Sequence, residues 1–222
     1  MGASASRPSY LRLAFWSLFL AASVASAYSQ RGSRGGNEAV YKFSTFESGM
    51  VFYAVWLGIV LLIAVDRFDL LALRPPRSWR RAAGLGVVAL TVIVAAEVVA
   101  AVLPLPVSPG KEQGLAPTHW QPAHAGAFAA NVVLFAVVAP FVEELTFRGV
   151  GQSLLRFLGN WPSILIVGIA FGLAHGLVEG LIVLVPFGVA LAWLRSRTDS
   201  VLPGMVIHGL FNGITLAVAV LS

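Results

Sequence analysis

Two adjacent glutamates, Glu143 and Glu144, and an arginine, Arg148, interrupt an apolar run at 140–152. An ionisable side chain at the centre of a membrane helix costs at least about 2.5–3.5 kcal/mol. In the last third of the chain the other such residues are His175, Glu179 and His208, with the uncharged Asn212 beside them. Glu144 and Arg148 stand at i,i+4 and share a helix face. Glu143 is rotated from Glu144 by about 100°. One glutamate can therefore pair with the arginine while the other points into a cavity. His208 and Asn212 are also at i,i+4, and His175 sits between small residues in Phe-Gly-Leu-Ala-His-Gly. A carboxylate and two imidazoles converging in a dry cavity can deprotonate water. The same three, Glu143, His175 and His208, would also serve as zinc ligands with a fourth position open for water. Without metal, Glu143 with His175 could act as general base, and His208 with Asn212 could donate hydrogen bonds to an oxyanion. Taken singly, either histidine is explained by a bond to a neighbouring carbonyl, and the Glu-Arg pair by mutual neutralisation. The chemistry rests on the combination.

Depth can be worked from spacing. With Asn160 as a hairpin tip, Glu143 lies 17 residues before it and His175 15 after it. Helical arms put each roughly 22–26 Å from the tip, so the two side chains can face one another. His208 lies about nine residues beyond the basic 195–200 loop, roughly 13 Å. That is shallower, and helix tilt or a sunken loop would close the gap. A helix over 125–158 would be about 50 Å long, more than the roughly 30 Å of hydrocarbon. It must tilt, protrude or break, and Gly149 and Gly151 are the expected break.

The elements that must hold these residues are transmembrane helices. The chain of 222 residues is 58% hydrophobic and 11% charged, against about 25% charged in soluble domains. Uncharged apolar runs recur at 13–30, 48–65, 82–96, 125–142, 157–178, 180–194 and 200–222, and the third reaches spanning length when extended through Glu97 to about Leu103. They are too continuous for alternating barrel strands and must be helices. The expected fold is an all-α, polytopic integral membrane bundle of about seven to eight helices. Arg67, Arg74, Arg77, Arg80 and Arg81 crowd one short loop, and the 195–200 loop is basic again. This is the cytoplasmic signature of membrane proteins, and it excludes reading the net charge of +5 as nucleic-acid binding. There are no cysteines, so disulfides and thiolate metal sites are excluded.

Arg7 and Arg12 precede the first apolar run, and Ala25-Ser26-Ala27 has the form of a signal-peptide cleavage site. The segment is expected to stay as a first span, because more spans follow. Arg31, Arg34 and Lys42 in the following polar loop argue mildly against an outside location for it. Glu97 falls near the middle of the third span and Glu179 at a span end. His119 and His124 fall in a Pro-rich loop and are expected to be solvated or interfacial. The organisation reads as 1–47 (first span and polar loop), 48–124 (two spans) and 125–222 (site-bearing core).

Glu143-Glu144-x-x-x-Arg148, Phe171-x-x-x-His175 and His208-x-x-x-Asn212, in this order, resemble the CAAX-processing and bacteriocin-processing (CPBP, or Abi) family of intramembrane endopeptidases. The resemblance covers 125–222. It implies an eight-helix-type bundle with a site open toward membrane and cytoplasm, and peptide-bond hydrolysis in a membrane-anchored or lipidated substrate. It makes Glu143 the water-activating residue with His175 assisting. Glu144 and Arg148 organise the site. His208 and Asn212 stabilise the oxyanion, or His208 is a ligand if a metal is used. The signal-like N-terminus and small size fit a bacterial plasma membrane. A non-catalytic immunity or scaffold protein is the alternative, and a proton-coupled transporter ranks last for want of an inverted repeat.

Overall fold

A computed structural model of the protein describes residues 9–30, 38–105, 112, 117 and 119–221; Arg7, Arg31 and Arg34 lie outside these. Among the described residues there is no strand. Seven principal helices follow in order: α1 (Tyr10–Ser29), α2 (Phe43–Ile63), α3 (Trp79–Val102), α4 (Pro122–Leu158), α5 (Asn160–Ala174), α6 (Leu181–Thr198) and α7 (Leu202–Leu221). Six are long and apolar enough to span a bilayer, and α5, with 15 residues, is shorter. The protein is a polytopic membrane helix bundle. Its outward faces carry bare aliphatics, among them Leu62, Val87, Val98 and Val102, as expected where lipid replaces water.

Most of the described arginines gather at one end, while Lys42 precedes α2 at the other. Arg12 in the first turn of α1 donates to the carbonyls of Ile63 and Val65 at the end of α2, so α1 and α2 run antiparallel. Arg74, Arg156 and Arg195 converge on Asp199, at 2.7, 3.6 and 3.1 Å. Partial burial opposes ionisation of Asp199. The hydrogen bond from Arg74 and the surrounding guanidinium charges outweigh it and hold the carboxyl below its usual range. At the same end the Arg67 guanidinium hydrogen-bonds Asp69 and lowers that carboxyl too. The opposite end holds the start of α2, the end of α3, the 175–180 turn and the end of α7. There the Tyr28 hydroxyl donates to the Leu177 carbonyl, which binds α1 to the bundle at both ends. His119 and His124 are exposed at this end, and Glu179 lies in the turn ahead of α6.

α5 and α6 pack closely because glycine faces glycine. A Cβ on Gly188 would come within 2.5 Å of the Gly168 carbonyl oxygen. Small residues let membrane helices approach until backbones touch. Phe147, Phe171 and Phe187 fill the space between α4, α5 and α6, with Phe171 and Phe187 stacked at 5.6 Å.

Candidate active site

The helix that carries both glutamates is widened, not broken. α4 runs through Gly149 and Gly151 without interruption, contrary to the expected break there. Its hydrogen bonding instead relaxes to the i→i+5 pattern over Leu134–Val138 and again over Leu145–Gly151. Such π segments are rare and concentrate at functional sites. The first has a local cause. Pro140 has no N–H, so residue 140 serves neither the Ala136 nor the Phe135 carbonyl, while Ala139 donates to Leu134. Both deprived carbonyls face α7. The Asn212 amide donates to Phe135 O at 2.9 Å, and Gly209 lies so close to Ala136 O that no Cβ could be added. In the second segment Thr146 is held from two sides. Its carbonyl accepts from Trp16 on α1 and its hydroxyl from Trp56 on α2, at 3.0 and 2.8 Å. The Arg148 carbonyl accepts from Arg195 on α6 at 3.0 Å.

The two glutamates meet different surroundings. Glu144 and Arg148 are fully buried and lie 2.9 Å apart, an ion pair at contact distance whose angle is off the hydrogen-bond direction. Arg148 also donates to Gly188 O at 3.2 Å and lies 4.2 Å above the Phe171 ring. The same oxygen of Glu144, Oε1, also meets His208, with Nδ1 at 3.1 Å. Glu143 receives the Tyr53 hydroxyl at 2.8 Å on Oε1, and its Oε2 faces His208 Nε2 at 3.7 Å. His208 thus stands between both carboxylates. The depth gap is closed by a sunken turn. Ser200 and Val201 are fully buried, with the Ser200 hydroxyl on Arg74 O and Val201 N–H on Ala72 O.

His175 occupies the end of α5. Its Nδ1 donates to Phe171 O at 2.8 Å, which fixes the tautomer and leaves the lone pair on Nε2. Glu143, His175, His208, Asn212, Tyr53 and Glu97 all line one cavity of about 250 Å³. Glu144 and Arg148 stand behind this wall. From the glutamates the cavity runs past Phe211 to Leu177, Gly180 and Ala219, toward the end away from the arginines. No residue of the basic loops lines it. At the basic end Leu70, Leu71 and Ala72 are buried, and Val201 N–H donates to the Ala72 carbonyl.

Metal binding can be tested against these donors. Among the described residues no three His, Asp or Glu side chains form a ligand group. Glu143, His175 and His208 share a cavity without converging on one point, so they do not fit as a zinc set in this arrangement.

Residues 125–214 match the family model described as type II CAAX prenyl endopeptidase Rce1-like. This segment is similar to the Rce1-like family. The match spans all three motifs, from Glu143 to Asn212, and makes this segment similar to CAAX-type endopeptidases in general terms. No curated protein and no solved structure matches the chain.

Three residues of the site region stand outside the three motifs. Tyr53 and Glu97 lie in spans outside the matched segment, and Arg195 reads from sequence as one more loop arginine although it is buried. A polar group inside an otherwise apolar span was the one cue available for Tyr53 and Glu97.

Proposed function

We propose that the protein hydrolyses a peptide bond in a membrane-anchored or lipidated protein or peptide, with Glu143 activating the attacking water. The observation that carries this reading is the asymmetry of the glutamates: Glu144 is neutralised by Arg148 inside the protein, while Glu143 reaches the cavity and is held by Tyr53. Glu143 removes a proton from water as the oxygen attacks the carbonyl carbon, and the carbonyl electron pair moves onto oxygen. The second amide hydrogen of Asn212 and the Nε2 face of His208, when that ring carries both protons, stabilise the oxyanion. Collapse breaks the C–N bond, and Glu143 returns the proton to the leaving nitrogen. One water is consumed and the carboxylate is regenerated. His175 Nε2 orients the water by accepting its second hydrogen. No step passes through a metal.

We further infer that the substrate is presented from the half of the membrane away from the arginine-rich loops. That half is the non-cytoplasmic one by the rule that basic loops stay inside. The direct test of the reaction is mass spectrometry of prenylated CAAX-type and unmodified membrane peptides incubated with the protein in vesicles. New fragments are expected with the wild type and none with Glu143→Gln; equal cleavage by both would overturn the assignment.

A further inference from the structure

Glu97 belongs to the same cavity and has no role in the reaction just described. It projects from α3, five residues before the Val102 end, and lines the wall with Glu143 and His175. Its helix neighbours are apolar, with Ile93, Ala96 and Ala100 buried against the bundle. Its carboxylate is half-buried, and among the described residues no hydrogen bond or ion pair reaches it. Among the described residues no lysine or arginine lines the cavity, which is otherwise walled largely by residues such as Phe135, Leu184, Phe211 and Leu216. Arg148, the nearest cation by sequence motif, is spent on Glu144. A carboxylate in a span is costly unless something compensates it, and none of the described residues does so by a hydrogen bond or ion pair.

We propose that Glu97 is a subsite for a positive charge on the substrate: a lysine or arginine side chain, or a free amino group, carried on an otherwise apolar segment. This deepens the proteolysis reading and rests on it for the identity of the ligand as a substrate. The pairing suits the site. A cation on an apolar peptide seeks an anion when it leaves water, and a charged hydrogen bond formed in a low-dielectric cavity is among the stronger ones available. Glu97 sits roughly 8 Å along the helix from its end, within reach of a side chain that enters from that end. The subsite would set the register of the peptide, since a cation fixed at Glu97 determines which bond arrives at Glu143.

The experiment separates binding from cleavage by using the Glu143→Gln protein in lipid nanodiscs. The probes are fluorescent apolar peptides bearing one lysine at successive positions, each with a glutamine counterpart. Lysine at the right position is expected to tighten binding about 10- to 100-fold over glutamine. Adding Glu97→Gln is expected to abolish that preference, and Glu97→Lys to transfer it to peptides bearing glutamate. Equal affinities for lysine and glutamine peptides at every position would overturn the subsite. So would a Lys-to-Gln preference that persists in Glu97→Gln, or a loss of affinity in that variant equal for both peptides, which would mark Glu97 as structural or as a proton relay. A preference that follows Glu97 with no cleavage of any peptide by the wild type would uphold the subsite and sink the protease reading instead.

Discussion

Replacing each adjacent glutamate by glutamine should have opposite consequences, although the two changes are chemically identical. In Glu143→Gln the amide can still accept the Tyr53 hydroxyl, now at 2.8 Å from Oε1, and the side chain lies at the cavity wall. Nothing buried loses its counter-charge. What disappears is the proton acceptor, and general-base catalysis is worth about 10²–10⁴ in rate. In Glu144→Gln the fully buried Arg148 guanidinium loses its carboxylate and keeps the Gly188 carbonyl and the Phe171 and Phe147 rings. Removing one partner of a buried ion pair costs about 3–5 kcal/mol. For a chain of this size that is a fall in melting temperature of roughly 6–20 °C, at about 2–4 °C per kcal/mol. The assay pairs thermal unfolding of monodisperse protein in detergent with peptide cleavage. Expected are a stable, inactive Glu143→Gln and a strongly destabilised Glu144→Gln. Arg148→Met combined with Glu144→Gln should recover most of the lost stability, since neutral, well-packed replacements of buried ion pairs are often harmless, while activity stays low. A Glu144→Gln protein as stable as wild type, or a Glu143→Gln protein that unfolds, would refute the division between the two carboxylates.

Four further outcomes are expected. Tyr53→Phe removes one donor to a carboxylate, and kcat should fall about 10-fold or more with little change in KM, as steady-state kinetics on a cleaved peptide would read. Asn212→Leu strands the Phe135 carbonyl and should cost about 1–3 kcal/mol; Pro140→Ala supplies a new N–H to α4 and should restore part of that melting temperature in the double variant. Asp199→Asn should cost under about 1 kcal/mol, because the aspartate is half-exposed and screened. Since the native state holds Asp199 below the ordinary value of about 3.9, that difference is present above this value and vanishes as pH falls through the native one, as melting curves across acid pH would show. The chain has no cysteine, so single cysteines are clean reporters: in spheroplasts an impermeant maleimide should label Ala219→Cys on the cavity wall, whereas exposed Arg77→Cys should label only after lysis.

The helices were legible because hydrocarbon leaves few options. Long uncharged runs marked all seven, and α5 differs only in stopping at Ala174, where the backbone turns through Gly176 at φ 62°. The motif residues were legible because charge in such runs has few neutral explanations, and helical spacing separated Glu143 from Glu144. The behaviour of α4 was not. Gly149 and Gly151 read as weak points in the sequence, yet those glycines accommodate the Leu71 backbone and the Trp16 ring. The residue that alters the ladder is Pro140, and its effect depends on α7 being present to satisfy Phe135. A partner that distant in sequence leaves no trace in local spacing. The same holds for Tyr53, which is one aromatic among several in Phe52–Trp56 until α2 is packed against α4, and for the 199–201 turn, which sinks only because the 70–74 segment covers it.

The site holds two carboxylates, a guanidinium and an imidazole in one connected group, and its energetics argue for function over stability. Desolvating each ion costs several kcal/mol, and a matched apolar set would fold as well or better. Structural need therefore does not explain why Arg148 is buried with Glu144. The positional consequence does. The Glu144–Arg148 pair is locked by Gly188 on α6 and Phe171 on α5, and Glu144 in turn fixes Nδ1 of His208 on α7. The opposite edge of that ring is then aimed at Glu143. Four helices are thus tied to the position of a single carboxylate oxygen at the cavity. The π segment over Leu145–Gly151 contributes to the same end, because a wider turn changes the angle between Glu144 and Arg148 without ending the helix. A mutation that restores ordinary α geometry there, leaving every motif residue in place, should reduce cleavage while raising thermal stability. Deleting Val150 is the direct trial, since shortening a π segment by one residue returns it to the α repeat; a deletion variant with full activity would show that the wide turn is incidental.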